Sequence, residues 1–412
     1  MTRRYLSATE AAQELGIAQA TLYAYVSRGL IHSEPAEAGN GGSHSRARRY
    51  RAEDVRRLQE RQAQRHDPAR AAATALSWGS AVLESAITLI HDGRLYYRGH
   101  DALALAGSHS IEEVAALLWT GALDHSLDWP SDGPPRSPLT LDAALPAIER
   151  FQLLLPRLQA ADPRAYDLHP RSLPRAGARI LRSLVCEAAG GSPVAGGIAA
   201  TLQRQWAPTQ PAAAALLNAA LVLSADHELN VSSFTVRCVA SAGAPLYAAV
   251  LGGLSALQGV KHGGVSRRVE ALLHEVGQPG AARDVLRSRL RRGEPIPGFG
   301  HRLYPEGDPR AALLLRLTRD AFPGSEAVRL LDALQAAGRE LLDEGPNIDL
   351  GLAGLTRALG LPDGTALTLM ALGRAAGWIA HALEQYQSDQ LIRPRARYVG
   401  VEPEAPGGGA AS

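Results

Sequence analysis

Four polar segments interrupt an otherwise apolar second half of the chain. They are Ala225-Asp226-His227-Glu228-Leu229-Asn230, Lys261-His262-Gly263-Gly264, Pro297-Gly298-Phe299-Gly300-His301-Arg302 with the following Asp308-Pro309-Arg310, and Pro346-Asn347-Ile348-Asp349. Imidazole is the side chain whose charge changes nearest neutral pH, so histidines are the first candidates for proton chemistry. A lone histidine is more often structural or merely exposed. His227, His262 and His301 differ because each sits beside glycine or at a helix end, where backbone can approach a ligand closely. Metal binding is the first alternative. No two of these histidines lie within a few residues of each other, so a dedicated zinc motif is not expected.

These segments must be positioned by helices. Apolar residues make up 46% of the 412 and aromatics only 5%, so the core is built from Ala, Leu and Val, a palette that favours close helix packing over sheet. Helical periodicity predicts helices over Ile111–Trp119, Ala214–Ser224, Leu246–Gln258, Ala281–Arg291, Ala311–Ala321, Glu326–Leu342 and Thr365–Gln387. No strand–helix alternation and no Gly-rich phosphate loop is present. Charged residues are 20% of the chain and the net charge is +2, a normal globular balance. Lys261 is the only lysine, which codon bias explains. Cys186 and Cys238 are too few for a disulfide framework and are expected to be reduced core residues. Arg3 and Arg4 are followed by no apolar run, and the apolar stretch Ala212–Ala225 is too short to cross a bilayer, so a cytoplasmic protein with no membrane contact is expected.

The first 60 residues read as a separate basic module. Ser7-Ala8-Thr9-Glu10 fits a capping box. Ala8, Ala11, Ala12 and Leu15 then recur at helical spacing up to Gly16, and a second helix is predicted over Gln19–Arg28, burying Leu22 and Val26. A Gly39-Asn40-Gly41-Gly42 tip precedes Arg46, Arg48, Arg49, Arg51, Arg56 and Arg57, opposed only by Glu53 and Asp54. A helix with Val55 and Leu58 follows. Residues Thr9–Leu30 and Arg49-Tyr50-Arg51-Ala52-Glu53-Asp54-Val55 resemble the winged helix-turn-helix of mercury-resistance regulators and excisionases. That resemblance implies DNA binding, with Gln19, Ala20, Tyr23 and Arg28 near the major groove and the wing arginines Arg46, Arg48 and Arg49 on phosphate. A docking or oligomerisation role is the alternative. Residues 61–77 read as a linker.

From about Trp78 to Gly400 the chain resembles the citrate synthase family, which includes the 2-methylcitrate synthases. The resemblance runs from Leu83-Glu84-Ser85-Ala86-Ile87-Thr88 and Leu95-Tyr96-Tyr97-Arg98-Gly99, through the four polar segments, to Ile392-Arg393-Pro394-Arg395. The order of the histidines, Asp349 and the arginines is more specific than any single motif. It implies a mainly α fold preceded by the winged module, with a large helical domain (78–263 and 362–400), a small one (264–361) that closes over a cleft, and a disordered tail (401–412). It also implies condensation of oxaloacetate with acetyl-CoA to give citrate, with 2-methylcitrate formation from propionyl-CoA as the alternative, without a cofactor, in a homodimer or higher oligomer.

The family's roles carry over residue by residue. Asp349 matches the general base, His262 the donor to the enolate oxygen, and His301 the group that polarises the 2-oxo carbonyl. Arg310, Arg374 and Arg393 match the substrate-carboxylate ligands, with His227 as a further contact and Arg393 reaching across from a partner subunit. Ile296-Pro297-Gly298-Phe299-Gly300 matches the turn that holds the adenine end of CoA through backbone groups. Two departures stand out. Val265-Ser266-Arg267 follows His262-Gly263-Gly264 where the family usually has Ala-Asn-Glu, and Pro305-Glu306-Gly307 replaces a basic stretch. The first bears on packing beside His262 and the second on phosphate contacts with CoA. A regulator whose synthase-like body senses metabolites is the rival reading, but sensing alone does not require the base.

Overall fold

The computed structural model describes residues 5–28, 30–35, 48–52, 54–55, 58, 83–123, 127, 129, 142, 144–396 and 398–401. Arg46, the Gly39–Gly42 tip, the linker 61–77 and tail residues 402–412 lie outside them. The chain divides into two compact units, Met1–Glu84 and Ser85–Ser412.

In the first unit, β1 (Tyr5–Ser7) leads into α1 (Ala8–Leu15), then α2 (Gln19–Ser27), β2 (Ser33–Pro35) and β3 (Arg48–Arg51). Ser7 accepts from the Glu10 amide and the Glu10 carboxylate accepts from the Ser7 amide, so the capping box is formed. The strands make an antiparallel sheet ordered β1-β3-β2, with Leu6 opposite Tyr50 and Glu34 opposite Arg49. Leu6, Ala11, Ala12, Leu15, Leu22, Ile31, Tyr50, Ala52, Val55 and Leu58 form its core. Val26 is only half-buried, because α2 turns a narrow Leu22 stripe inward.

The second unit opens with a small meander not anticipated from the helical composition: β4 (Thr88–His91), β5 (Arg94–Tyr97) and β6 (His100–Asp101). The helices that follow are α3 (Ala102–Ser108), α4 (Ile111–Thr120), α5 (Ala147–Ala161), α6 (Leu173–Ala188), α7 (Ile198–Trp206), α8 (Ala213–Ser224), α9 (Val231–Ser241) and α10 (Leu246–Leu257). They continue as α11 (Val265–Val276), α12 (Ala282–Arg291), α13 (Pro309–Ala321), α14 (Glu326–Leu342), α15 (Ile348–Ala358) and α16 (Thr365–Ser388). Helices α11 to α15 pack chiefly on one another, while α16 packs against α4, α6, α8, α9, α10 and α15.

α16 is the axis of the unit. It is 24 residues long and apolar enough to cross a membrane by length and composition, yet it is buried within the fold. It is longer than the apolar stretch Ala212–Ala225. Arg374 and His381 make α16 less obvious by composition, but it is buried on all sides. Its contact with α8 is unusually close. A Cβ on Gly377 would lie 2.3 Å from the Ala225 carbonyl oxygen, which instead accepts from the Gly377 amide at 2.9 Å. Only glycine permits that approach, and it brings the next turn, with Arg374, up to the end of α8. Cys186 is buried and Cys238 half-buried; both are free thiols, so the latter is not the core residue expected.

Candidate active site

Each polar segment sits where a helix starts or stops. His227 follows α8 on a turn in which Glu228 is left-handed, with φ 55°. Asn230 holds this turn from both sides: its Oδ1 caps the Ser232 and Ser233 amides of α9, and its Nδ2 donates to the His227 carbonyl at 3.3 Å. His262 lies on the turn between α10 and α11. The Gly264 amide donates to the carbonyls of Leu257 and Gly259, and a Cβ on Gly264 would sit 2.8 Å from that second oxygen. Here too the glycine is required by close approach.

The third and fourth segments are tied to each other. Gly298 O accepts from the Asn347 amide, the Gly300 amide donates to Gly345 O, both at 2.9 Å, and Asn347 Nδ2 donates to Gly300 O at 3.2 Å. Pro297, Gly298 and Phe299 are buried. Part of the polar backbone of the Ile296–Gly300 turn thus braces the segment that leads into α15. The Gly298 and Phe299 amides lie outside that ladder. Asp308 extends the brace. Its side chain caps α13 at the Arg310 amide, pairs with Arg310 Nε and Nη2 at 3.0 and 2.8 Å, and accepts from the Ile348 amide at the start of α15.

These turns bring His227, His262, His301, Tyr304, Arg310, Asp349 and Arg374 into one electrostatic cluster. The His227 and His301 rings meet edge to face with centroids 5.0 Å apart, and Tyr304 lies 3.0 Å from His227 Nε2 through its hydroxyl. Burial, with Arg310, Arg374 and the other two rings nearby, holds His227 well below the ordinary imidazole range. Burial and Arg374 bring His262 down to about 4. Burial and Arg310 do the same to His301, also to about 4. All three rings are therefore neutral at pH 7.

For His301 the tautomer follows. The Leu303 amide donates to Nδ1 at 3.1 Å, so that nitrogen is bare and the ring proton sits on Nε2. His262 Nε2 contacts Ser232 Oγ at 2.8 Å, and the Trp378 indole N–H also donates to that hydroxyl.

Arg310 and Arg374 are almost fully buried. Burial works against the Arg310 charge, but the Asp308 pair more than restores it. Among the described residues Arg374 forms no equivalent ion pair. Its one hydrogen bond among the described residues runs from Nε to the Ser224 carbonyl at 2.9 Å, a neutral acceptor. Burial and Arg310 weaken its charge, while Asp226, itself 3.2 Å from His381, offers the nearest compensation. Two buried guanidiniums whose remaining N–H groups have no acceptor among the described residues have the chemistry to bind carboxylates.

Asp349 is the second residue of α15. Burial raises its carboxyl to about 6, opposed in part by the Ser266 hydroxyl and Arg310. It is thus a base that is ionised at neutral pH but only weakly hydrated.

Arg393 is not brought to this cluster within its own chain; it is exposed beyond the end of α16. In the first unit Gln19, Ala20, Tyr23 and Arg28 are exposed together, Tyr23 by 52%. Arg48 donates to the Ser33 hydroxyl and carbonyl. Arg49 departs from a free phosphate contact, for it pairs with Glu34 at 3.5 Å and stacks over Tyr5 at 4.4 Å. The sequence reading assigned no role to Tyr304, Ser232, Ser266, Asp308 or Asp226. Asp226 and Asp308 lie inside the polar segments, and Ser266 is visible in the sequence only as a departure.

Residues 75–129 and 158–395 match the family model for the citrate synthase C-terminal domain, and residues 5–63 match a helix-turn-helix domain model. Citrate synthase 2 of Bacillus subtilis is 29% identical over 360 residues, covering 79% of this chain and 95% of its own. A 2-methylcitrate synthase of Mycobacterium tuberculosis is 31% identical over 350 residues, covering 75% and 85%. The solved citrate synthase of Thermotoga maritima superposes with a TM-score of 0.67 at 29% identity, covering 79% and 95%.

Proposed function

The chain belongs to the citrate synthase family and is an acyl-transferring enzyme of that type, and on that premise we propose that it condenses acetyl-CoA with oxaloacetate to citrate. Asp349 removes a proton from the thioester methyl group. His262 donates to the developing enolate oxygen, which requires the Ser232 hydroxyl to turn its proton from Asn230 Oδ1, 2.7 Å away, to Nε2 so that Nδ1 carries the ring proton. The enolate carbon bonds to the 2-oxo carbon of oxaloacetate while His301 Nε2–H protonates that carbonyl oxygen. Arg310, Arg374 and His227 hold the carboxylates, completed by Arg393 from the second chain of a homodimer. Water then cleaves the C–S bond, releasing citrate and the CoA thiol, with no cofactor. The Gly298 and Phe299 amides remain for the adenine end of CoA.

The observation that carries this reading is the juxtaposition of a neutral Nε2–H donor on His301, a partly exposed carboxylate of raised pKa and two buried arginines. A pure sensor of oxaloacetate would need the arginines but not the base. The free thiols Cys186 and Cys238 suit a reducing compartment such as the cytoplasm.

Thiol release from purified protein given oxaloacetate and either acyl-CoA tests the assignment. One methylene is worth about 1–3 kcal/mol, so kcat/KM for acetyl-CoA is expected to exceed that for propionyl-CoA by roughly 10- to 200-fold. The reverse preference would make the protein a 2-methylcitrate synthase. No release with either would leave the sensing role.

A second reading applies to the first unit: its helix-turn-helix match and exposed α2 face support binding to duplex DNA. Log affinity is expected to fall linearly with log salt, with a slope of about −0.9 per phosphate neutralised. Arg48 bonds only neutral groups among the described residues, so Arg48→Ala should flatten the slope by about one unit. Arg49→Ala should flatten it less, because Glu34 already opposes that charge. Absence of binding at low salt, with the module folded, would leave docking as its role.

A further inference from the structure

Resting on the reading of Asp349 as the base, we propose that Ser266 is a positioning residue that fixes Asp349 Oδ1 and leaves Oδ2 as the oxygen presented to the acyl-CoA α-carbon. Ser266 Oγ donates to Oδ1 at 2.6 Å, within the roughly 2.5–2.7 Å of a charge-assisted O–H···O⁻ bond. Ser266 is wholly buried, and its hydroxyl has no second acceptor among the described residues. Its amide donates to the Gly263 carbonyl, so the hydroxyl is anchored to the turn that carries His262. Asp349 accepts no other side-chain hydrogen bond among the described residues.

A carboxylate rotates about Cβ–Cγ in a broad, two-fold well, so either oxygen could otherwise face the substrate. One short bond from a buried, anchored donor removes that freedom. It also ties the two ends of the enolisation together, because the first turn of α11 then positions both the base and the donor to the enolate oxygen. The same bond resists protonation. Burial pushes the Asp349 carboxyl up; Ser266 opposes this most strongly, then Arg310 from α13, with Asp308 working the other way and Arg374 from α16 assisting. None of those three hydrogen-bonds to Asp349.

Ser266→Ala deletes a single oxygen from a helix and should fold. It is expected to lower kcat on the order of tenfold, since a misplaced reacting group loses orientation rather than affinity, with KM for oxaloacetate within about twofold. The acidic limb of its kcat/KM profile should move upward from the wild-type position near pH 6. A packing role would leave that limb in place. Wild-type kcat with an unmoved limb in Ser266→Ala overturns the proposal while leaving the base assigned. Activity retained in Asp349→Asn, run beside it, overturns the base assignment instead.

Discussion

Asp349→Asn is expected to yield a folded protein whose turnover is at least about a hundredfold lower, as removal of a general base predicts. It should also be more stable than wild type at alkaline pH. Burial raises the Asp349 carboxyl to about 6 in the folded state, against about 3.9 in an unfolded chain. The folded state therefore binds this proton more tightly than the unfolded state. The favourable contribution is fully present below about pH 4 and is lost as pH rises through about 6. At pH 8 the ionised carboxylate costs folding on the order of 2–3 kcal/mol, which asparagine never incurs.

Thermal melts at pH 8 should thus show the variant above wild type, with the difference closing toward pH 4. Wild-type kcat/KM should fall as pH drops through about 6, because the base must be ionised. Near-native turnover in the variant would remove Asp349 from the mechanism. An inactive variant that melts below wild type at pH 8 would mean that the carboxylate is structural.

Mixing inactive Arg393→Ala with inactive Asp349→Asn is expected to restore activity once subunits exchange. Residues 390–396 follow α16 without regular secondary structure and Arg393 is exposed there, with no contact to the cluster of its own chain among the described residues. In a two-fold dimer whose chains trade this arginine, each mixed dimer carries one site with both defects and one with neither. Random exchange makes about half the dimers mixed, so roughly a quarter of wild-type activity should return. Failure to complement, with exchange demonstrated by mass, would mean that Arg393 acts in its own chain or not at all.

Local signals carried much of this protein's organisation. The Ser7–Glu10 capping box, the helices over Glu326–Leu342 and 111–120, and the histidines placed at helix ends depend on neighbours three or four residues away, and those interactions survive into the fold. The meander at residues 88–101 escaped because its strands are short and set within a helical composition. What tertiary structure decided is which partner each polar group meets. Arg374 reaches Ser224 across 150 residues, Ser266 reaches Asp349 across 83, and Tyr304 reaches His227 across 77. Glu34 claims Arg49, and residues 345–347 occupy the backbone of the 298–300 turn. Residue type makes each of these groups able to donate or accept. Whether it is left for a substrate depends on what packing delivers within about 3 Å, and no spacing along the chain encodes that.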